Sequence, residues 1–492
     1  MEKLRPTGRD RSFEIIKNFL VFFSGTFISR VFGFIREIFI AFSLGATHFA
    51  DILYVSFRIP NFLRDIVAEN AIQTAFVPSY IKWKEKKEEK CSSNVFLIYL
   101  IFSIFIVVIG IIFSPFIVKI TAFGFLKIPW KYALTVKLTR ILFFLIIFLF
   151  LSAFFSGILN AEKKFFPSSF SPAIFNITFL IIGFISYFYF KNDEKNLTFL
   201  FGIGLLIGIM MQFIFLLPFV LRKKFFKFMP SFKKEEIKKL KPFFLLLFPV
   251  ILSTSLNQVI LFISTLLSSL LGEGKVAILN YAYRVMHLPI AFLGVGIAVT
   301  TLPDMVKEKE KGKYLLTIYK ETIFILLPVI IFMIADSYEI IKILYKRGAF
   351  TESDTYKTSS VFIMYSFSIL FFSLSKINLN YFYSQDKIIE PMLSFLFSTS
   401  SYIIFAPILS KLLDVSGLAL SSSIASFTQF IFLLSRMPSF ISKFPYKFKF
   451  LLLLLIFSFI LYIKLVDLII IELAIDSIFL ILFYLVIKKI WR

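Results

Sequence analysis

The chain has one cysteine, Cys91, in 492 residues, so no internal disulfide can form. Its only histidines are His48 and His287, and with a single thiol they rule out a nitrogen or sulfur metal site. Acidic residues are few: 30 Asp and Glu stand against 54 Lys and Arg, for a net charge of +24. No G-x-x-x-x-G-K-[ST] phosphate loop occurs, which excludes ATP hydrolysis by this chain, and no cofactor is expected. No run alternates apolar and polar residues with the period of two that a membrane barrel requires.

What the chain has in abundance is hydrophobicity: 58% of its residues are apolar and its mean hydropathy is +0.87. Apolar runs of about 20 residues recur along the whole length, each long enough to cross a hydrocarbon core of about 30 Å as a helix. The fold class expected is an all-α polytopic membrane protein. Fourteen spans are read at 18–44, 49–81, 94–119, 135–159, 169–190, 197–221, 243–270, 276–303, 318–336, 359–382, 391–410, 416–435, 450–466 and 468–487. The first span is too long for a signal-peptide core and lacks a small-residue cleavage site, so it is expected to be retained.

The positive charge does not mark a nucleic-acid binder, because the lysines sit in short loops between spans. The connections at 82–90, 222–241, 307–313 and 436–449 are basic, as is the tail Lys488-Lys489-Ile490-Trp491-Arg492, and all fall on the side of the N-terminus. Both termini are therefore expected in the cytoplasm. The 222–241 connection alternates basic and apolar residues, as a segment lying on an anionic leaflet does. The segment 337–358 reads as a short surface helix and turn. The 70 phenylalanines are lipid-facing bulk and packing rather than a recognition surface.

A faint internal repeat relates Leu44-Gly45, Arg58 and Pro78 to Leu271-Gly272, Arg284 and Pro303 at similar spacings. With the span count it suggests two six-helix lobes, 1–232 and 243–440, followed by two extra helices in 450–492. Repeats of this kind build transporters whose site lies between them.

The first two spans carry charges that an ordinary anchor would not tolerate. Each arginine at mid-membrane costs roughly 2.5–3.5 kcal/mol, so Arg30, Arg36, Arg58 and Arg64 must meet water, a partner charge or a ligand. Gly25, Ser29, Gly33 and Arg36 fall on one helical face, a small-residue strip against which another helix can pack. Arg30 and Glu37 also share a face. Pro60 interrupts the second span, and Arg64, Asp65 and Glu69 follow it. Arg284 in the eighth span has no acidic residue near it in sequence. Guanidinium forks suit phosphate oxygens, so the pattern points to an anionic, phosphorylated substrate, with internal salt bridges that fix helix packing as the alternative for each residue. Lys376 in the tenth span is a further intramembrane cation.

In Ser29-Arg30-Val31-x-Gly33-x-x-Arg36-Glu37, Gly45-Ala46 with Asp51, Phe57-Arg58-Ile59-Pro60-Asn61-x-Leu63-Arg64, Ala68-Glu69, Ala75-Phe76-Val77-Pro78, Tyr281-Ala282-Tyr283-Arg284, Gly294-Val295, Leu302-Pro303, Arg347-Gly348-x-Phe350-Thr351 and Phe382-Tyr383-Ser384-x-Asp386 with Pro391, the chain resembles the MurJ (MviN) family of lipid II flippases. That family lies within the multidrug/oligosaccharidyl-lipid/polysaccharide exporter superfamily. The resemblance implies a V-shaped cavity between two lobes, and a head group of lipid II engaged by Arg30, Arg36, Arg64 and Arg284. Ser29, Gly33, Glu37, Asp51, Arg58, Glu69 and Lys376 would then support or gate the site. It also implies an undecaprenyl tail guided by the last two helices, transport from inner to outer leaflet of a bacterial cytoplasmic membrane by alternating access, and partners in cell-wall synthesis. Another polyprenyl-linked oligosaccharide or a drug is the alternative cargo. Two departures stand out. Tyr283 replaces an acidic residue of relatives, and 244–270 and 391–410 contain no Asp or Glu, with Ser264 near the expected place, which argues against a sodium site.

Overall fold

In a hydrocarbon solvent each backbone N–H and C=O must be satisfied within its own segment, which an apolar chain achieves as helices. The computed structural model describes residues 8–64, 75–222, 225–231, 233–290, 305, 311–385, 387 and 389–437, and every regular element among them is helical. In order these are α1 (Gly8–Leu44), α2 (His48–Leu63), α3 (Val77–Glu85), α4 (Glu89–Thr121), a 3-10 turn (Phe123–Lys127), α5 (Pro129–Phe143), α6 (Leu145–Ala161), α7 (Phe165–Phe190), α8 (Glu194–Leu221), α9 (Lys234–Lys238) and α10 (Lys241–Leu270). They continue with α11 (Lys275–Pro289), α12 (Lys311–Ala335), α13 (Ser337–Tyr345), α14 (Glu352–Tyr383) and α15 (Ile389–Ser435). The expected spans at 450–466 and 468–487 lie outside the described residues, as do Asp65, Glu69, Gly294, Pro303 and Asp386.

Seven stretches among the described residues are long and apolar enough to cross a membrane. The fourth expected span begins earlier than its hydropathy suggests, at Pro129, and breaks at Phe144, whose N–H turns back to the Ile141 carbonyl at 3.2 Å. Proline opens α5 where a missing N–H costs nothing. Asp193 caps α8 by accepting from Asn196 N at 3.1 Å. Helix α15 contains a break at Asp414, where φ is 55° and ψ −141°, and this separates the two spans read at 391–410 and 416–435.

The chain divides into two compact units. The first comprises 1–284, 341–358 and 406–418. Within it the small-residue strip of α1 lies against α7: a Cβ on Gly25 would meet Ser169 Oγ at 2.2 Å, and one on Gly33 would meet Asn176 Nδ2 at 3.4 Å. Phe76, Tyr80, Trp83, Tyr99, Phe150, Phe154 and Phe243 form an aromatic core toward the Lys82 end of this unit. Against it docks the connection after α8. Ser93 Oγ donates to the Lys227 carbonyl at 2.7 Å and accepts from Met229 N at 3.0 Å, and Asn94 exchanges two bonds of 2.8 Å with Ser231. The connection read as lying on an anionic leaflet is thus also fixed, through Lys227, Met229 and Ser231, to the start of α4. The face of α4 bearing Phe105, Ile112 and Phe116 is exposed, as a lipid-facing helix requires.

At the opposite, Gly45 end the turns interlock. The Gly45 φ of 58° belongs to the left-handed region, and a Cβ there would meet the Ala349 carbonyl oxygen at 2.4 Å. Gly274, at φ 70°, likewise approaches the Ala46 carbonyl oxygen, at 1.9 Å from its would-be Cβ. Ala349 N donates to the Phe42 carbonyl at 2.8 Å, and Tyr281 Oη to that of Gly45 at 2.8 Å. The helix and turn read at 337–358 are present as α13 and the Gly348 turn, yet Tyr345 is fully buried rather than on a surface.

The second unit comprises 285–340, 359–405 and 419–492. Its described core joins α12, α14 and the second part of α15 through the Tyr319–Asn378 hydrogen bond, the Phe371–Phe427 ring pair at 4.9 Å and a bond from Ser423 Oγ to the Met364 carbonyl at 2.6 Å.

Candidate substrate site

Arg36 stands where the small-residue strip of α1 gives way, and α7 aims it. Asn176 Nδ2 donates to the Pro172 carbonyl at 2.9 Å and to the Ser29 carbonyl at 3.2 Å, and this fixes its oxygen to accept from Arg36 Nη1 at 3.0 Å. The guanidinium carbon of Arg36 lies 5.1 Å from the centre of the Phe175 ring, so one side of α7 both stacks on the cation and hydrogen-bonds it. Its other terminal nitrogen donates to Glu37 Oε1 at 2.6 Å.

Glu37 gathers the site. Besides Arg36, its Oε1 lies 3.5 Å from Arg284 Nε on α11, and its Oε2 accepts from Tyr54 Oη on α2 at 2.7 Å. Arg36 and Glu37 are buried, and the Tyr54 ring stacks edge-on with Tyr281 at 5.6 Å. Arg58 Nη2 donates to Asn280 Oδ1 at 3.3 Å, tying α2 to α11 one turn before Arg284. Arg64 follows at the end of α2. Arg36, Glu37, Tyr54, Arg58, Asn61 and Arg284 line a cavity of ≈ 40 Å³. Pockets that enclose a drug-sized ligand measure about 300–1,000 Å³, so this one holds only a few waters in the present conformation.

Three guanidiniums, of Arg36, Arg58 and Arg284, therefore line the cavity beside a single described carboxylate, to which Arg36 makes a charge-assisted bond. Arg284 has no acid near it in sequence, and the fold brings Glu37 from α1 to within 3.5 Å of it. The Arg36–Glu37 adjacency, open to reading as an accident of sequence, is a real ion pair. Arg30 is exposed on α1, and Ser29 takes part through its backbone carbonyl. Glu69 lies outside the described residues. Lys376 belongs to the second unit, where its ammonium sits 5.3 Å from the centre of the Phe372 ring.

Asp51 does a different job, at the Gly45 end. Its Oδ2 accepts from Gly274 N at 2.9 Å and its Oδ1 from Ala277 N at 3.0 Å, capping the N-terminus of the helix that carries Arg284. Lys131 Nζ completes the carboxylate's shell at 2.8 Å and lies 3.9 Å from the centre of the Phe125 ring. The aspartate, fully buried, thus locks α2, α5 and α11 together. Asn176, Tyr54, Asn280 and Lys131 escape a sequence reading. Lys131 passes for a loop lysine, while Asn176 had a visible signal as a lone amide in the apolar run of α7.

Comparison with known proteins identifies the family and the fold. Residues 40–486 match the family model described as lipid II flippase MurJ. A probable lipid II flippase MurJ from Buchnera aphidicola subsp. Acyrthosiphon pisum is 33% identical over 424 residues, covering 84% of this chain and 81% of its own. Its counterpart from Aquifex aeolicus is 29% identical over 430 residues, covering 86% and 83%. Among solved structures, a lipid II flippase MurJ in an inward closed conformation superposes with a TM-score of 0.76 at 26% identity, over 96% of this chain and 100% of that one. An inward-facing MATE-family multidrug transporter of the MOP superfamily shares the fold with a TM-score of 0.66 at 15% identity, over 87% and 99%.

Proposed function

The chain belongs to the MurJ lipid II flippase family, and from that premise we propose that Arg36, Arg58, Arg64 and Arg284 receive the pyrophosphate-bearing head group of lipid II, with Glu37 holding the arginines in its absence. As a member it is a membrane transporter that moves this peptidoglycan precursor across the bilayer by alternating access. The observation that supports the residue assignment is the Glu37 carboxylate, which takes a bond from Arg36 at 2.6 Å and faces Arg284 at 3.5 Å, where an anion is already stabilised. A phosphate offers more oxygens and more charge than a carboxylate and suits the same forks.

Because ≈ 40 Å³ cannot hold a head group, the substrate enters only after α1, α2 and α11 separate around this cavity. Glu37 then trades its contacts for those of the incoming phosphates. Arg36, the buried one of the four, exchanges one anion for another and is never left unpaired, which keeps the rearrangement low in cost. Asp51 holds the Gly45 end shut meanwhile, since capping α11 and pairing with Lys131 favour closure there.

The orientation we infer puts the Lys82 end, with its basic connections, and both termini in the cytoplasm. The lobes 1–232 and 243–440 would move against each other, and 450–492 would guide the lipid tail. Helix α10 has no Asp or Glu. We therefore favour membrane potential acting on substrate and cavity charges, each worth about 2.3 kcal/mol per 100 mV, over a sodium site. Docking to the cell-wall synthesis machinery belongs to the same reading.

A leaflet-resolved lipid II translocation assay with reconstituted protein tests the assignment. Arg284→Ala and Arg36→Ala should insert normally and lose transport, and an imposed potential should accelerate the unaltered protein. Full transport by both variants overturns the arginine assignment, and indifference to the potential overturns the drive.

A further inference from the structure

Two cations on α5 stand apart from everything above. The helix turns Lys131, Leu138 and Leu142 inward, where all three are buried. Arg140 lies nine residues after Lys131, about 180° around the helix, and Lys137 lies one turn before Arg140. Both are exposed on the outer surface of the first unit, among the exposed side chains of Trp130, Phe113 and Phe144. Arg140 Nε donates to Ser114 Oγ on α4 at 2.9 Å, which fixes the fork at the α4–α5 seam, and Lys137 Nζ lies 4.9 Å from the centre of the Phe199 ring on α8.

Among the described residues no acid is paired with them. The sequence from Pro129 to Ala161 contains no Asp or Glu, α4 has only Glu89 at its far end, and α8 only Glu194 at its start. Neither cation forms a salt bridge among the described residues. At 1.5 Å per residue they lie about 10 and 15 Å along the axis from Trp130, which marks the Gly45 end, within a hydrocarbon half-thickness of about 15 Å. Two like charges one turn apart in an apolar surround repel each other and are poorly solvated, so the pair favours an anion drawn from its surroundings.

We propose that Lys137 and Arg140, with Ser114, form a site on the lipid-facing surface for the phosphate of an anionic glycerophospholipid in the leaflet at the Gly45 end. Phosphate fits a guanidinium fork beside an ammonium, and both side chains are long enough to draw a head group inward along the α4–α5 seam. The lipid bathes this surface at high concentration, whereas a partner helix would have to bring a buried carboxylate to the same depth.

The test titrates purified protein in neutral detergent with phosphatidylglycerol, phosphatidylcholine and lipid II, read by native mass spectrometry. The Lys137→Gln/Arg140→Gln variant is expected to lose about 30-fold in phosphatidylglycerol affinity, taking each basic residue's usual contribution, with phosphatidylcholine and lipid II binding unchanged. Arg140→Lys, which keeps the charge and loses the fork, should lose severalfold and serves if the double variant does not fold. Unchanged phosphatidylglycerol affinity in Arg140→Lys and the double variant overturns the site. Parallel loss of lipid II overturns it in favour of the substrate, and loss of a co-purifying membrane protein with lipid binding intact overturns it in favour of a partner helix.

Discussion

Arg284 Nε on α11 and Glu37 Oε1 on α1 lie 3.5 Å apart, the one ion pair through which the two helices meet in the cavity. Glu37 is buried but the Arg284 side chain is 45% exposed, so this pair is worth about 1 kcal/mol or less, whereas buried Arg36 loses its counter-charge when Glu37 is neutralised. Glu37→Gln, which also strips Arg36 of its counter-charge, should therefore lower the unfolding temperature in detergent more than Arg284→Gln does. A thermal-melt double-mutant cycle checks this, with a coupling energy of about 0.5–1 kcal/mol expected between the two. Additive losses would mean that the two residues act independently.

Asn176 aims Arg36 without lining the cavity. Its replacement by Ala removes a hydrogen bond to a charged group, worth about 1.5–3 kcal/mol, and frees the guanidinium to swing. Transport should fall while insertion and expression hold. Lipid II affinity measured beside turnover separates a positioning role, which lowers both, from a general packing defect, which lowers the melting temperature alone.

Asp51→Asn keeps the shape of the α11 cap but leaves Lys131 buried without a counter-charge. A loss of about 3–5 kcal/mol is expected, partly recovered when Lys131→Met accompanies it. Unfolding in denaturant on the single and double variants provides the measurement. A double variant no better than the single one would count against the pair.

Gly274→Ala adds a methyl group into the Ala46 carbonyl, at a φ of 70° where an L residue is already strained. The Gly45 end should loosen. A cysteine placed at Ala46 should react faster with a soluble maleimide in this variant than in the unaltered background, and equal rates would show that the contact does not hold this end shut.

Much of the architecture follows from the sequence because lipid leaves a chain few options. Apolar runs of span length become helices, glycine and serine at four-residue spacing on α1 become the strip against α7, and Leu44-Gly45 and Leu271-Gly272 become left-handed turns. The arginines of α1 and α2 and Arg284 were conspicuous too, because charge inside a membrane is costly and has to be accounted for. Their partners were not legible. That Glu37 serves Arg36, Tyr54 and Arg284 together, that Asn176 aims Arg36, and that Asp51 reaches across to Lys131 and the start of α11 depends on contacts between helices far apart in sequence. A hydrogen bond is decided by a few tenths of an ångström and by direction, and no periodicity in one segment encodes where another segment's side chain will stand. The sequence determined which charges enter the membrane, and only the tertiary structure decided which of them neutralise each other.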